Sequence, residues 1–330
     1  MPTSTHRYTD TPRPPSPTPS PSPSPSATAT PDPYAGLTIA DLLNRSYGGG
    51  ELLALKVLDD YRDFTRYLIA YPSDGLNIFG FMNVPKQGQP PFPVVIAIHG
   101  YVDPANYKTL DYTTGYADTL AQAGFLVIHP NLRDYPPSDR APSDDRTNLF
   151  RVGMAIDVLN LISLVKTQAG QPGPLESADS SRLGLWGHSM GGGISIRVMT
   201  VSTDVKAVVL YGAMSGDEKL NYEAVRQWSA GQGGQAELSV PDEDLQRISP
   251  IHHLENVQAA VSIHHGEADP TVPLEWSLDL CLQLNDLGKT VECYTYPGQP
   301  HVFGPQGSQL FMERVIEFYH QHLKLPEGGG

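Results

Sequence analysis

Leu183-Gly184-Leu185-Trp186-Gly187-His188-Ser189-Met190-Gly191-Gly192-Gly193 joins an apolar run to a helical one, and this junction decides the fold. Residues 182–187 read as a buried strand and 191–201 as a helix, with Ser189 between them in a G-x-S-x-G pattern. A turn tight enough to lift one serine above a sheet strains the backbone, so Gly187 and Gly191 must be small on either side of it. Gly192 and Gly193 let the start of the helix pack closely. The turn also aims the Met190 amide, at a helix amino terminus, toward any negative charge that develops beside Ser189.

Outward from the junction, strand-like runs alternate with helical ones. Residues 94–99, 125–129, 205–211, 261–264 and 291–296 read as strands, and 112–123, 149–168, 274–287 and 308–322 as helices. Residues 66–71 and 78–84 flank a glycine turn and read as a hairpin. The alternation predicts an α/β fold with a mostly parallel central sheet flanked by helices. Residues 214–249 read as an irregular insertion after a strand's carboxyl end, where either a small lid or a plain surface excursion would sit.

A serine hydroxyl needs a base within hydrogen-bond reach, and the chain offers eleven histidines. Where G-x-S-x-G occupies a strand-to-helix turn, the partners follow in the order nucleophile, acid, histidine. His301 is the one histidine in the loop after the last strand, and Asp269 lies in the loop leaving the strand at 261–264. Glu267 competes for the acid's place; Asp269 ranks ahead because Pro270 holds a turn after it and its side chain is shorter. A carboxylate there would fix the imidazole tautomer without taking its proton. The Tyr101 amide, after the strand ending in His99-Gly100, is the candidate for the second oxyanion donor beside Met190.

The other histidines have plainer readings. His252-His253 and His264-His265 are adjacent pairs without the spacing of a zinc site, and no metal or cofactor is expected. His188 and His99 read as hydrogen-bonding supports, and Arg133-Asp134 and Asp139-Arg140 as surface ion pairs, with a pocket role as the alternative for the first.

Residues 12–33 are nearly all Pro, Ser, Thr and Ala, too poor in apolar surface to fold. As polyproline II they would span on the order of 65 Å. The expected organisation is a linker at 1–35, a catalytic domain at 36–325 and a flexible tail at 326–330. The formal charge of −14 disfavours nucleic acid as a partner. No stretch reads as the roughly 20 apolar residues of a membrane span, and MPTSTHRYTD has no signal-peptide core. The tether's composition favours an extracytoplasmic location, with a cytoplasmic enzyme bearing a disordered tail as the alternative. Cys281 and Cys293 fall on a helix and the strand after it, where they either pair or stay as buried thiols.

Taken together, AIHGY at 97–101, GLWGHSMGGG at 184–193, SPIHHLENV at 249–257, HHGEADPTVP at 264–273 and YPGQPHVF at 296–303 resemble the catalytic domain of the prolyl oligopeptidase family. They also resemble the related dienelactone hydrolases and acetyl esterases, over residues 65–325. The resemblance implies an α/β-hydrolase fold, a triad of Ser189, Asp269 and His301, and oxyanion amides at Tyr101 and Met190. Val302 stands where these families often carry glycine, and only about 30 residues separate the linker from the first strands, leaving no room there for a peptide-filtering propeller. GHSMGGG is similar to bacterial cutinases and polyester hydrolases as well. The expected activity is hydrolysis of small or polymeric carboxylic esters through an acyl-enzyme. The alternatives are a prolyl oligopeptidase-type peptidase, a cutinase-like polyester hydrolase, and a tethered binding module with a degenerate site.

Overall fold

A computed structural model describes residues 1–5, 9 and 32–324. Almost all of the 12–33 linker and the whole 326–330 tail lie outside the described residues. One compact unit runs from Tyr34 onward.

The sheet has nine strands in the order β1-β2-β3-β5-β4-β6-β7-β8-β9. β1 (Leu53–Asp60), β2 (Phe64–Ser73) and β3 (Leu76–Pro85) form an antiparallel meander, and β3 pairs antiparallel with β5 (Leu126–Pro130). From β5 the ladder is parallel through β4 (Phe92–Ile98), β6 (Ala178–His188), β7 (Val205–Tyr211), β8 (Ala260–Gly266) and β9 (Val291–Tyr296).

The apolar runs alternate between two cores, one on each face. Val94, Ile96 and Ile98 join Leu185, Leu210 and Ile263 against α3 (Val152–Gln168), α4 (Met190–Val201) and α8 (Leu274–Asp286). Val95 and Ala97 join Trp186, Val209 and Tyr211 against α2 (Thr114–Gln122) and α9 (Pro305–His322). A strand buried on both faces has no polar side, which is why these runs read as continuously apolar. Full burial of each Val, Ile or Leu contributes roughly 1.5–3 kcal/mol, so the central strands are held far more firmly than the edges.

Four expectations change. β1 escapes a pattern reading because most of its residues are exposed: it is an edge strand held by its ladder to β2, with register shifts on either side of Lys56-Val57. The short α1 (Ile39–Leu43), capped by Thr38 and Asp41, precedes it. The insertion at 214–249 is largely helical: α5 (Glu218–Trp228), capped by Asp217, is followed by α6 (Gln235–Leu238) and α7 (Asp242–Ile248). Arg146–Gln168 is long and apolar enough to cross a membrane by length and composition, yet it is mostly buried here, with α3 as a core helix.

The fourth change concerns Arg133, which is no surface ion pair with Asp134. It is buried and bonds Asp157 on α3, Nη2 to Oδ1 at 2.8 Å, with its backbone amide on the same carboxylate at 2.9 Å. Leu132 and Asp134 both have positive φ, so the chain turns sharply around Arg133 and sends the neighbouring side chains apart. Asp134 instead caps the Ala141 amide, and Asp139 takes the Asn77 amide.

Cys281 on α8 and Cys293 on β9 form a disulfide across twelve residues. Closing a loop of that size restricts the unfolded chain by about 3 kcal/mol at 25 °C. Reduction, or Cys281→Ser with Cys293→Ser, should therefore lower the free energy of unfolding by about 3 kcal/mol. The check is guanidinium denaturation of both forms; an unmoved midpoint would contradict it.

Candidate active site

β6 ends level with its neighbours: Ile98 pairs with Gly187, His188 with Tyr211, and Tyr211 with His264. The next residue, Ser189, turns to φ +56°, ψ −119° before α4 begins. Its strained backbone is fully bonded, because Ser189 N donates to Tyr211 O at 3.0 Å and Ser189 O accepts from Gly192, Gly193 and Met214 amides at 3.0–3.2 Å.

The glycines around this turn are required by contact. A Cβ on Gly191 would stand 2.2 Å from Ile98 O, and one on Gly187 would stand 2.4 Å from Gly191 O. On Gly100 it would meet the Tyr112 hydroxyl at 2.1 Å and Ser189 Cβ at 3.0 Å. On Gly192 it would meet Ala213 Cβ at 2.4 Å, so the helix start does pack closely.

Asp269 and His301 come together from different loops: Asp269 Oδ2 accepts from His301 Nδ1 at 2.7 Å. Asp269 Oδ1 accepts from the Thr271 and Val272 amides at 2.7 and 3.0 Å, the turn expected around Pro270. Glu267, two residues earlier, is exposed and takes the Thr295 hydroxyl at 2.7 Å, away from His301. Burial works to raise the Asp269 pKa, but donation from His265, His301, Val272 and Thr271 outweighs it and holds the carboxyl well below the usual range. An ionised carboxylate only accepts, so His301 Nδ1 carries the proton and Nε2 is left free to accept one.

Three supporting residues were not singled out for this role by sequence. His265 Nε2 lies 3.2 Å from the same Asp269 oxygen, with its Nδ1 on the Ser277 hydroxyl at 2.7 Å. The pleat of β8 separates it from His264, which faces Tyr296 and is pushed down to about 3 by burial. Gly212 lies beside the pair, where a Cβ would stand 3.2 Å from His301 Nδ1 and 3.4 Å from Asp269 Oδ2. The Tyr211 hydroxyl accepts the Phe303 amide at 2.6 Å and pins the far side of the histidine loop. The readable signal was register: Tyr211-Gly212 ends the strand beside Ser189, and His265 is four residues before Asp269.

The two loops also bond each other, Ala268 N to Gln299 O at 3.0 Å and Glu267 N to Tyr296 O at 3.0 Å. His188 donates to His301 O, and His99 lies between Gly100 O and Asn131 O, so both act as supports. Tyr101 and Val302, next in sequence to Gly100 and His301, carry exposed side chains. Neither the Tyr101 nor the Met190 amide meets an acceptor among the described residues.

Comparison with known proteins agrees with this architecture. The model of the prolyl oligopeptidase family matches residues 174–326, and that of the alpha/beta hydrolase fold matches 93–248. Two Bacillus subtilis proteins, the uncharacterized peptidases YuxL and YtmA, are each 24% identical over 76% of this chain. The match covers 38% of YuxL and 92% of YtmA, so the chain spans about two-fifths of the former.

Among solved structures, a Mycobacterium tuberculosis puromycin-hydrolyzing peptidase aligns with TM-score 0.62 and 21% identity, over 82% of this chain and 41% of its own. Acetyl xylan esterase 1 of Thermoanaerobacterium aligns with TM-score 0.63 and 18% identity, over 85% and 93%. At these identities the likeness is one of fold.

The depressed Asp269 carboxyl has a consequence for stability. A group held below its unfolded value of about 4 adds stability that is full above that pH and is lost as the pH falls toward the folded value. Asp269→Asn should therefore flatten the pH dependence of unfolding below about pH 4. Urea denaturation at pH 3 and pH 5 reads it, and equal slopes in parent and variant would refute it.

Proposed function

We propose that this chain, a serine hydrolase of the α/β-hydrolase superfamily, cleaves carboxylic esters through an acyl-enzyme formed on Ser189. One observation carries the reading: Ser189 stands on a +56° turn at the edge where His301, held by Asp269 at 2.7 Å, presents a free Nε2. As the Ser189 oxygen attacks the acyl carbon, His301 Nε2 takes the hydroxyl proton. The bond to the leaving oxygen then breaks, and His301 returns that proton to the alcohol. Water attacks the acyl carbon next, giving its proton to His301, and Ser189 leaves reprotonated.

The carbonyl oxygen turns anionic in both steps and lies against the amides of Tyr101 and Met190. Neither amide has another acceptor among the described residues, which supports that role. Asp269 stays ionised throughout and stabilises the imidazolium. An alcohol leaves more readily than an amine, so ester cleavage makes the smaller demand on this geometry. The exposed Tyr101 and Val302 side chains suit an apolar acyl or alcohol group. The disulfide and the tether's composition support an oxidising, extracytoplasmic location.

The match to the prolyl oligopeptidase family favours a second reading, in which the same residues expel an amine. Nitrophenyl esters assayed beside aminoacyl and prolyl anilides separate the two, with faster ester turnover expected; strong anilide and weak ester turnover would reverse the preference. Ser189→Ala should abolish fluorophosphonate labelling and lower ester turnover by at least about 10³-fold. Asp269→Asn should cost about 10³–10⁴-fold while Glu267→Gln stays within about twofold. Unchanged turnover in Ser189→Ala would end the serine mechanism.

A further inference from the structure

We propose that Tyr112 and His188 form a brace that positions the catalytic histidine, an inference that rests on the serine-hydrolase reading above. The brace is one hydrogen-bonded chain. The Tyr112 hydroxyl lies 2.6 Å from His188 Nδ1, and His188 Nε2 lies 3.0 Å from the carbonyl oxygen of His301.

The direction of each bond follows from chemistry. A carbonyl oxygen only accepts, so His188 Nε2 carries the proton. His188 Nδ1 must then accept, and Tyr112 must donate. Burial and the nearby His301 push the His188 pKa down to about 3, so this tautomer persists at any pH where the enzyme would work.

The two ends of the brace lie in the two loops that the reaction must hold apart. Tyr112 follows β4 in the loop that begins with Gly100-Tyr101, and its hydroxyl fills the space a Cβ on Gly100 would occupy. His301 lies in the loop after β9. His188 is the last residue of β6, directly before Ser189, so the bridge crosses behind the nucleophile. Its ring lies tilted between those of His301, at 4.6 Å, and Tyr211, at 4.2 Å, which limits its rotation.

This arrangement constrains His301 through its backbone, while Asp269 constrains its ring. Tyr211 holds the loop two residues further on, at the Phe303 amide. Without the brace, the His301 carbonyl loses the His188 donor, and the peptide carrying the base is held less firmly by its remaining contacts, the Asp269, Tyr211 and Ala268–Gln299 bonds among them. Substrate binding depends on other groups, so the loss should fall on the chemical step.

The test is steady-state hydrolysis of p-nitrophenyl acetate by the full chain, with Ser189→Ala as the reference. His188→Met removes both bonds at similar volume, His188→Gln keeps an amide donor in reach of the His301 carbonyl, and Tyr112→Phe deletes a single oxygen. His188→Met and Tyr112→Phe should lower kcat about 10- to 100-fold with KM within about threefold, the pattern of a misplaced base. His188→Gln should recover most of the loss.

The brace is refuted if Tyr112→Phe and any folded His188→Met keep kcat within about twofold of parent, if KM rises in step with the loss, or if Gln is as impaired as Met. Should His188→Met not fold, Tyr112→Phe decides alone. Parental turnover in Ser189→Ala would instead overturn the serine-hydrolase reading itself.

Discussion

The register of the parallel ladder is the constraint on which the rest depends. Because Ile98, Gly187 and Leu210 lie side by side, β4, β6 and β7 finish at one level, and the residues after them meet at one edge. Ser189 can then adopt a backbone costing about 1–3 kcal/mol, since its amide finds Tyr211 O and its carbonyl gathers three donors. A one-residue slip would turn each inward side chain to the other face. It would also carry the serine's supports away from it.

The charge distribution follows from the same packing. His99, His129, His188 and His264 are buried, and desolvation lowers the pKa of each. Asp269, equally out of solvent by accessible area, stays ionised because four donors converge on it. A persistent negative charge thus stands beside His301. Any positive charge that develops on His301 has a well-placed counterion 2.7 Å away.

Much of this was legible from residue order. Ser189 and His301 could be chosen because the strand-turn-helix context and the loop after the last strand are both visible as pattern. Asp269 against Glu267 was a closer contest, since two carboxylates two residues apart differ in side-chain direction, which depends on a turn that sequence only hints at through Pro270. Arg133 differs from its sequence expectation for a related reason: adjacency to Asp134 suggests a pair, while positive φ on both sides sends it to Asp157 instead. The exposed edge strand β1 and the helices of the insertion left weak periodic signals, because the ladder, caps and tertiary contacts hold them more than a buried face does.

The insertion also carries an anchor with its own consequence. Arg197 on α4 bonds Glu218 of α5 at 2.5 Å and Ile248 O at the end of α7 at 2.7 Å, with both charged side chains buried. Removing either partner alone would leave the other charge buried and unpaired, at a cost of roughly 3–5 kcal/mol. The ion pair therefore ties the insertion to the nucleophile's own helix, nearly two turns from its start, so that a shift of α5 would act on that helix.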